Sequence, residues 1–129
     1  MNGTRWTSPK VGVAQLDDQH QRINQLFLQL LTDPAHERAE ERFSILFHCL
    51  VEHFKTEEDY LEGRGYPDLK PHRFEHELLL DQFRDSLVRR GVPNPPPLGQ
   101  VVEELAEVIR VHGDRDDLAY AVWLQANPG

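Results

Sequence analysis

The chain has 129 residues, enough for one domain with a core of its own. A formal charge of -8 argues against a nucleic-acid backbone or an anionic membrane surface as partner. No apolar run approaches the length of a membrane span, and the opening stretch MNGTRWTSPKVGVAQ lacks the apolar centre of a signal peptide. The single cysteine, Cys49, rules out an internal disulfide and suits a reducing compartment, so a cytoplasmic location is expected.

Apolar residues recur at spacings of three and four, and no clear strand alternation appears. Leu16, Ile23, Phe27 and Leu30 mark a first helix, with Asp17 or Asp18 as its expected N-cap. Asp33-Pro34 reads as a cap followed by a first-turn proline. It predicts the start of a long second helix, with Phe43, Leu46, Leu50 and Leu61 on its inner stripe. The segment EGRGYPDLKP ends that helix, and a third begins near Pro71 and carries Leu79, Phe83 and Leu87. GVPNPPPLG is the strongest breaker in the chain. Beyond it Val101, Leu105 and Val108 stripe a fourth helix, and a short piece, DDLAYAVWL, closes the sequence. Short connections favour antiparallel neighbours. The expected fold is all-α, an antiparallel up-down four-helix bundle with a short C-terminal helix, and one domain over residues 1–129.

Seven histidines are unusual for this length, and their positions matter more than their number. His20 lies between Leu16 and Ile23, inside the first stripe. His53 falls three after Leu50, and Glu57 four after His53. His72 and His76 open the third stripe, and His112 ends the fourth. Residues four apart on a helix are rotated by only about 40°, so His53 and Glu57 share a direction, as do His72 and His76. Every helix thus turns an ionisable group inward, where a lone charge is costly to bury. Metal ions would give these groups partners. A set of nitrogen and oxygen donors suits iron or manganese and does not exclude zinc.

One motif points elsewhere. HRFEH, residues 72–76, fits the inverted zinc-protease signature H-x-x-E-H. That reading explains two histidines and leaves His20, His53, His112 and Glu57 without a reason. Glu75 is rotated by about 100° from His76 and reads as a surface charge. Glu58, Asp59, Asp114 and Asp116 likewise read as solvated charges, Cys49 as a packing residue, and His36 and His48 as non-ligands.

The order DDQH, HFKTE, HRFEH and HGDRDD, with Tyr120 three residues further on, resembles the hemerythrin family, in particular the single-domain bacteriohemerythrins. The likeness covers nearly the whole chain, from Trp6 and VGVAQLDDQH through the GYP after the second helix. It implies two iron ions joined by an oxo or hydroxo bridge. His72, His76 and His112 would be terminal ligands of one iron, and His20 and His53 of the other. Glu57 and Asp117 would bridge the two. The iron with two histidines would keep an open position for dioxygen, walled by Phe54, Leu61 and Ile109. The implied function is reversible dioxygen binding for storage, delivery or sensing, in a binding protein more than an enzyme, with a separate redox or signalling protein as a possible partner. A di-iron enzyme handling peroxide or nitric oxide, or an iron store, is the alternative. The sequence departs from the family where a Trp-Leu pair is common, here Val108 and Ile109, and at Gly113 after the fourth-helix histidine, which reads as a helix C-cap.

Overall fold

A computed structural model describes residues 10–128; Trp6 lies outside the described residues. Four long helices run α1 (Ala14–Thr32), α2 (Ala39–Arg64), α3 (Leu69–Arg89) and α4 (Leu98–His112). A five-residue π-helical turn, Gly113–Asp117, then leads without a break into α5 (Leu118–Ala126). The architecture is an all-α helical bundle. Contacts run α1 to α2, α2 to α3, α3 to α4 and α4 back to α1, so the helices close a ring. Connections of a few residues at 33–38, 65–68 and 90–97 make sequential neighbours antiparallel.

Several boundaries differ from the sequence reading, each for a local reason. The N-cap of α1 is Val13, not Asp17 or Asp18. Asp17 sits in the first turn, and its carboxylate accepts hydrogen bonds from the backbone N–H groups of Val11 (2.8 Å) and Gly12 (3.2 Å). It therefore anchors the entering chain. Asp33-Pro34 does not start α2. Asp33 ends α1, and residues 33–38 form turns closed by His36 N–H to Asp33 O and Ala39 N–H to His36 O. Pro34 instead packs on the first turn of α4: a Cβ on Gly99 would meet its Cγ at 3.2 Å. Gly65, at φ 74°, ends α2 in the left-handed conformation that glycine adopts without strain. Gly113 is not a C-cap, because its φ of -60° and ψ of -45° are helical. The expected short C-terminal helix is thus the second half of the fourth bundle helix.

Two apolar clusters fill the bundle, one on each side of a polar layer. The larger joins Phe27, Leu30, Phe43, Leu46, Phe83 and Val102, with the Phe43 and Phe83 rings stacked at 4.8 Å. Full burial of each such side chain is worth about 1.5–3 kcal/mol. The smaller joins Val11, Leu16, Leu61, Tyr66, Tyr120 and Leu124. Between them lies a layer of buried His20, His53, Glu57, His72, His76, His112 and Asp117. The apolar clusters fix the rotation of all four helices, and that rotation aims these side chains at one another.

Candidate metal centre

Each helix contributes to the polar layer through its inner stripe. His20 sits one turn from both Leu16 and Ile23, and His53 and Glu57 sit one turn apart on α2. Asp117 needs a different explanation. On a regular α-helix a residue five after His112 would be rotated by about 140° from it, away from the bundle axis. The π turn takes one extra residue into its loop and so returns position 117 to the inner face. Both His112 and Asp117 are consequently buried.

Glu57 divides its two oxygens. Oε1 lies 2.6 Å from His72 Nε2 and 3.0 Å from His76 Nε2, while Oε2 lies 3.3 Å from His53 Nε2 and 3.8 Å from His20 Nε2. Asp117 does the same. Its Oδ1 is 3.2 Å from His112 Nε2 and 3.6 Å from His72 Nε2, and its Oδ2 is 3.7 Å from His20 Nε2. Each carboxylate therefore spans two groups of imidazoles. Glu57, His72, His76, His112 and Asp117 bring ligand atoms within 4.8 Å of one another, and so do His20, His53 and Glu57.

The donor atoms are poised for cations rather than for each other. Both ring nitrogens of His20, the Nε2 atoms of His53, His76 and His112, and Asp117 Oδ1 are buried without a hydrogen-bond partner. The short approaches of Glu57 to His76 and of Asp117 to His112 lack hydrogen-bond angles. Buried polar atoms left in this way cost about 1–3 kcal/mol each. Two divalent cations shared by Glu57 and Asp117 would satisfy every one of these atoms except His20 Nδ1. The set of five imidazoles and two carboxylates fits iron, manganese or zinc.

Charge tells the same story. Burial alone would raise Glu57, but the surrounding imidazoles hold it well below the usual carboxylate range. Asp117 goes the other way: burial, then the charge of Glu57, pushes it well above. Each carboxylate disfavours ionisation of the other in this buried pocket, and a cation between them would relieve that. Burial lowers His53 and His112, which keeps their Nε2 lone pairs free. Burial also opposes a proton on His76, yet Glu57 and Glu58 outweigh it and raise that ring to about 9.

The far side of the rings shows what the sequence reading missed. His76 Nδ1 faces Glu58 Oε2 at 2.6 Å, and His112 Nδ1 faces Asp116 Oδ2 at 3.0 Å. His53 Nδ1 faces Gln19 Oε1 at 2.8 Å. Such contacts fix the tautomer that turns Nε2 inward. Glu58 and Asp116 are thus not simply solvated charges, as expected; their side chains are only 22% and 24% exposed. The usable signal was spacing for Asp116, four after His112, whereas Glu58 and Gln19 reach histidines on other helices. Tyr120, fully buried, donates to Glu57 Oε2 at 2.8 Å. Asp59 and Asp114 do form surface pairs, with Lys55 and Arg110. Glu75 pairs with Arg115 at 3.0 Å. His36 accepts from the Arg38 N–H in the 33–38 turn.

A cavity of about 10 Å³ opens beside His20 and His53, walled by Ile23, Leu50, Phe54 and Ile109. Phe54 also stacks on His76, with ring centroids 3.9 Å apart. Leu61, expected on this wall, is elsewhere. It lies one turn beyond Glu57, on the opposite side of the carboxylates from Phe54, and packs with Leu16, Tyr66 and Tyr120. Val108, partly buried, packs against the larger cluster.

Histidines and carboxylates from four antiparallel helices define a bundle protein built around a buried cluster able to hold metal ions. Residues 11–124 match the model of the hemerythrin HHE cation binding domain, and the chain belongs to that family. It is similar to a bacteriohemerythrin of Methylococcus capsulatus strain Bath, 32% identical over 85 residues, which is 62% of this chain and 65% of that relative. The match thus spans just under two thirds of the relative's length. No solved structure gives a significant match.

Proposed function

We propose that the protein binds dioxygen reversibly at two iron ions, held by His72, His76 and His112 on one side and His20 and His53 on the other, with Glu57 and Asp117 shared. The division of each carboxylate's oxygens between the two imidazole groups carries this reading. Family membership and the similarity to a bacteriohemerythrin support iron as the cation. A ferrous pair, when bound, supplies the two electrons that dioxygen binding draws on.

The chain's own residues do the rest. Three imidazoles stand on one side of the shared carboxylates and only two on the other, so the room for a ligand lies by His20 and His53. The cavity of about 10 Å³ there has room for about one water-sized molecule and places a small ligand beside these two imidazoles. Apart from His20, His53, His112 and Asp117, its lining residues Ile23, Leu50, Phe54 and Ile109 are apolar. These four side chains offer no proton. The nearby Tyr120 hydroxyl is committed to Glu57. A cavity whose ionisable lining residues are all taken up as metal ligands, with the rest apolar, favours binding over cleavage of the O–O bond.

Anaerobic reduction of the iron-loaded protein followed by dioxygen titration tests the reading. A visible absorption band should rise with oxygen and fade when oxygen is removed. If no band forms, and the reduced protein instead consumes peroxide or nitric oxide catalytically, the binding reading is wrong.

A further inference from the structure

The two halves of the centre are built unequally. The half around His72, His76 and His112 gathers five ligand residues within 4.8 Å, and the half around His20 and His53 gathers three. The difference extends outward. His76 is backed by the carboxylate of Glu58, and His112 by that of Asp116. A carboxylate behind an imidazole fixes the ring and makes the inward nitrogen more basic. The other half has weaker support. His53 is backed by the neutral amide of Gln19, and neither nitrogen of His20 has a hydrogen-bond partner. Glu58 and Asp116 are themselves held. Arg73 Nε lies 3.4 Å from Glu58, and Arg115 Nε lies 3.0 Å from Asp116.

We propose that the two cation positions differ in affinity, that the three-histidine half holds its ion more tightly, and that Glu58 and Asp116 are positioning residues that add to the difference. The proposal rests on the two-iron reading above. It predicts a defined one-ion form of the protein, with the ion held by His72, His76 and His112. Loading and loss then follow an order, with the position beside the ligand cavity filled last and emptied first.

Graded chelation of the full-length iron(II)-loaded protein under anaerobic conditions, followed by native mass spectrometry, tests this. The first ion should leave at a chelator concentration at least about tenfold below that needed for the second, with a one-ion plateau between. His20→Ala should carry one ion, as resistant as that of the plateau. Glu58→Gln and Asp116→Asn, at partly exposed positions, should bring the second release forward by about 10–100-fold. Gln19→Ala should bring forward only the first. A purely structural weakening would move both releases together, so the selectivity separates positioning from general damage. Simultaneous loss of both ions from the unaltered protein, or a Gln19→Ala effect on the second release, overturns the proposal while leaving the two-iron reading standing. A protein that never carries more than one ion overturns both.

Discussion

Replacing Tyr120 by Phe removes one oxygen from the middle of the bundle. The ring keeps its place among Leu16, Leu61, Tyr66 and Leu124, so the packing change is small. What is lost is the hydrogen bond from the phenol to Glu57 Oε2, 2.8 Å long and shielded from water, since both side chains are 0% exposed. Burial and the charges of Glu57 and Asp117 raise the phenol far above its ordinary range, so it remains a donor at any working pH. No neighbour can replace it easily. His53 Nε2 is 3.3 Å from the same oxygen, but its Nδ1 already faces the Gln19 carbonyl. Donating from Nε2 as well would require a second proton, which burial opposes. A hydrogen bond to a charged group contributes about 1.5–3 kcal/mol. For a domain of this size that corresponds to roughly 6–12 °C in Tm. Thermal unfolding of the metal-free protein, followed by circular dichroism, should show this loss. The loaded protein should lose less stability, because a cation then shares the charge of Glu57, while its metal affinity should fall by about 10–100-fold. A Tm change under about 2 °C in the metal-free form would refute the reasoning.

Glu57→Ala and Asp117→Ala should each leave the protein with at most one metal ion, whereas Glu75→Ala should leave the metal content unchanged; elemental analysis decides. In the metal-free protein His76 is raised to about 9 by Glu57 and Glu58 against its burial, so its imidazolium stabilises the fold fully below about 6.5 and less as pH rises through about 9. Tm should therefore fall across that window in the metal-free form, and a flat profile there would contradict the His76–Glu58 contact. Deletion of Asp114 should convert the π turn into a regular helix and leave Asp117 four residues after His112, still on the inner face. Metal content should then match the unaltered protein, and a loss as complete as that of Asp117→Ala would argue against this account of the turn.

Most residues of the buried polar layer are legible in the sequence because helical spacing is local. Once Leu16 and Ile23 point inward, so must His20; the same holds for His53, Glu57, His72, His76 and His112 on their stripes. The helical class and the order of the bundle follow from the same periodicity and from the short breakers between stripes. The start of α2 did not follow. Asp33-Pro34 lies in a turn instead, with Pro34 against the first turn of α4, a contact between residues 65 apart that local spacing does not encode. Gly113 likewise satisfies the rules for a C-cap and yet continues the helix, because a π turn there brings Asp117 to the centre. The outer contacts were also out of reach. Glu58 serves His76 on the next helix, and Gln19 serves His53 across the α1–α2 seam, so neither has a fixed spacing to read. Sequence periodicity determines which face of a helix points inward. Only the packed bundle decides the height and facing of one helix against another, and so which side chains meet across the seams.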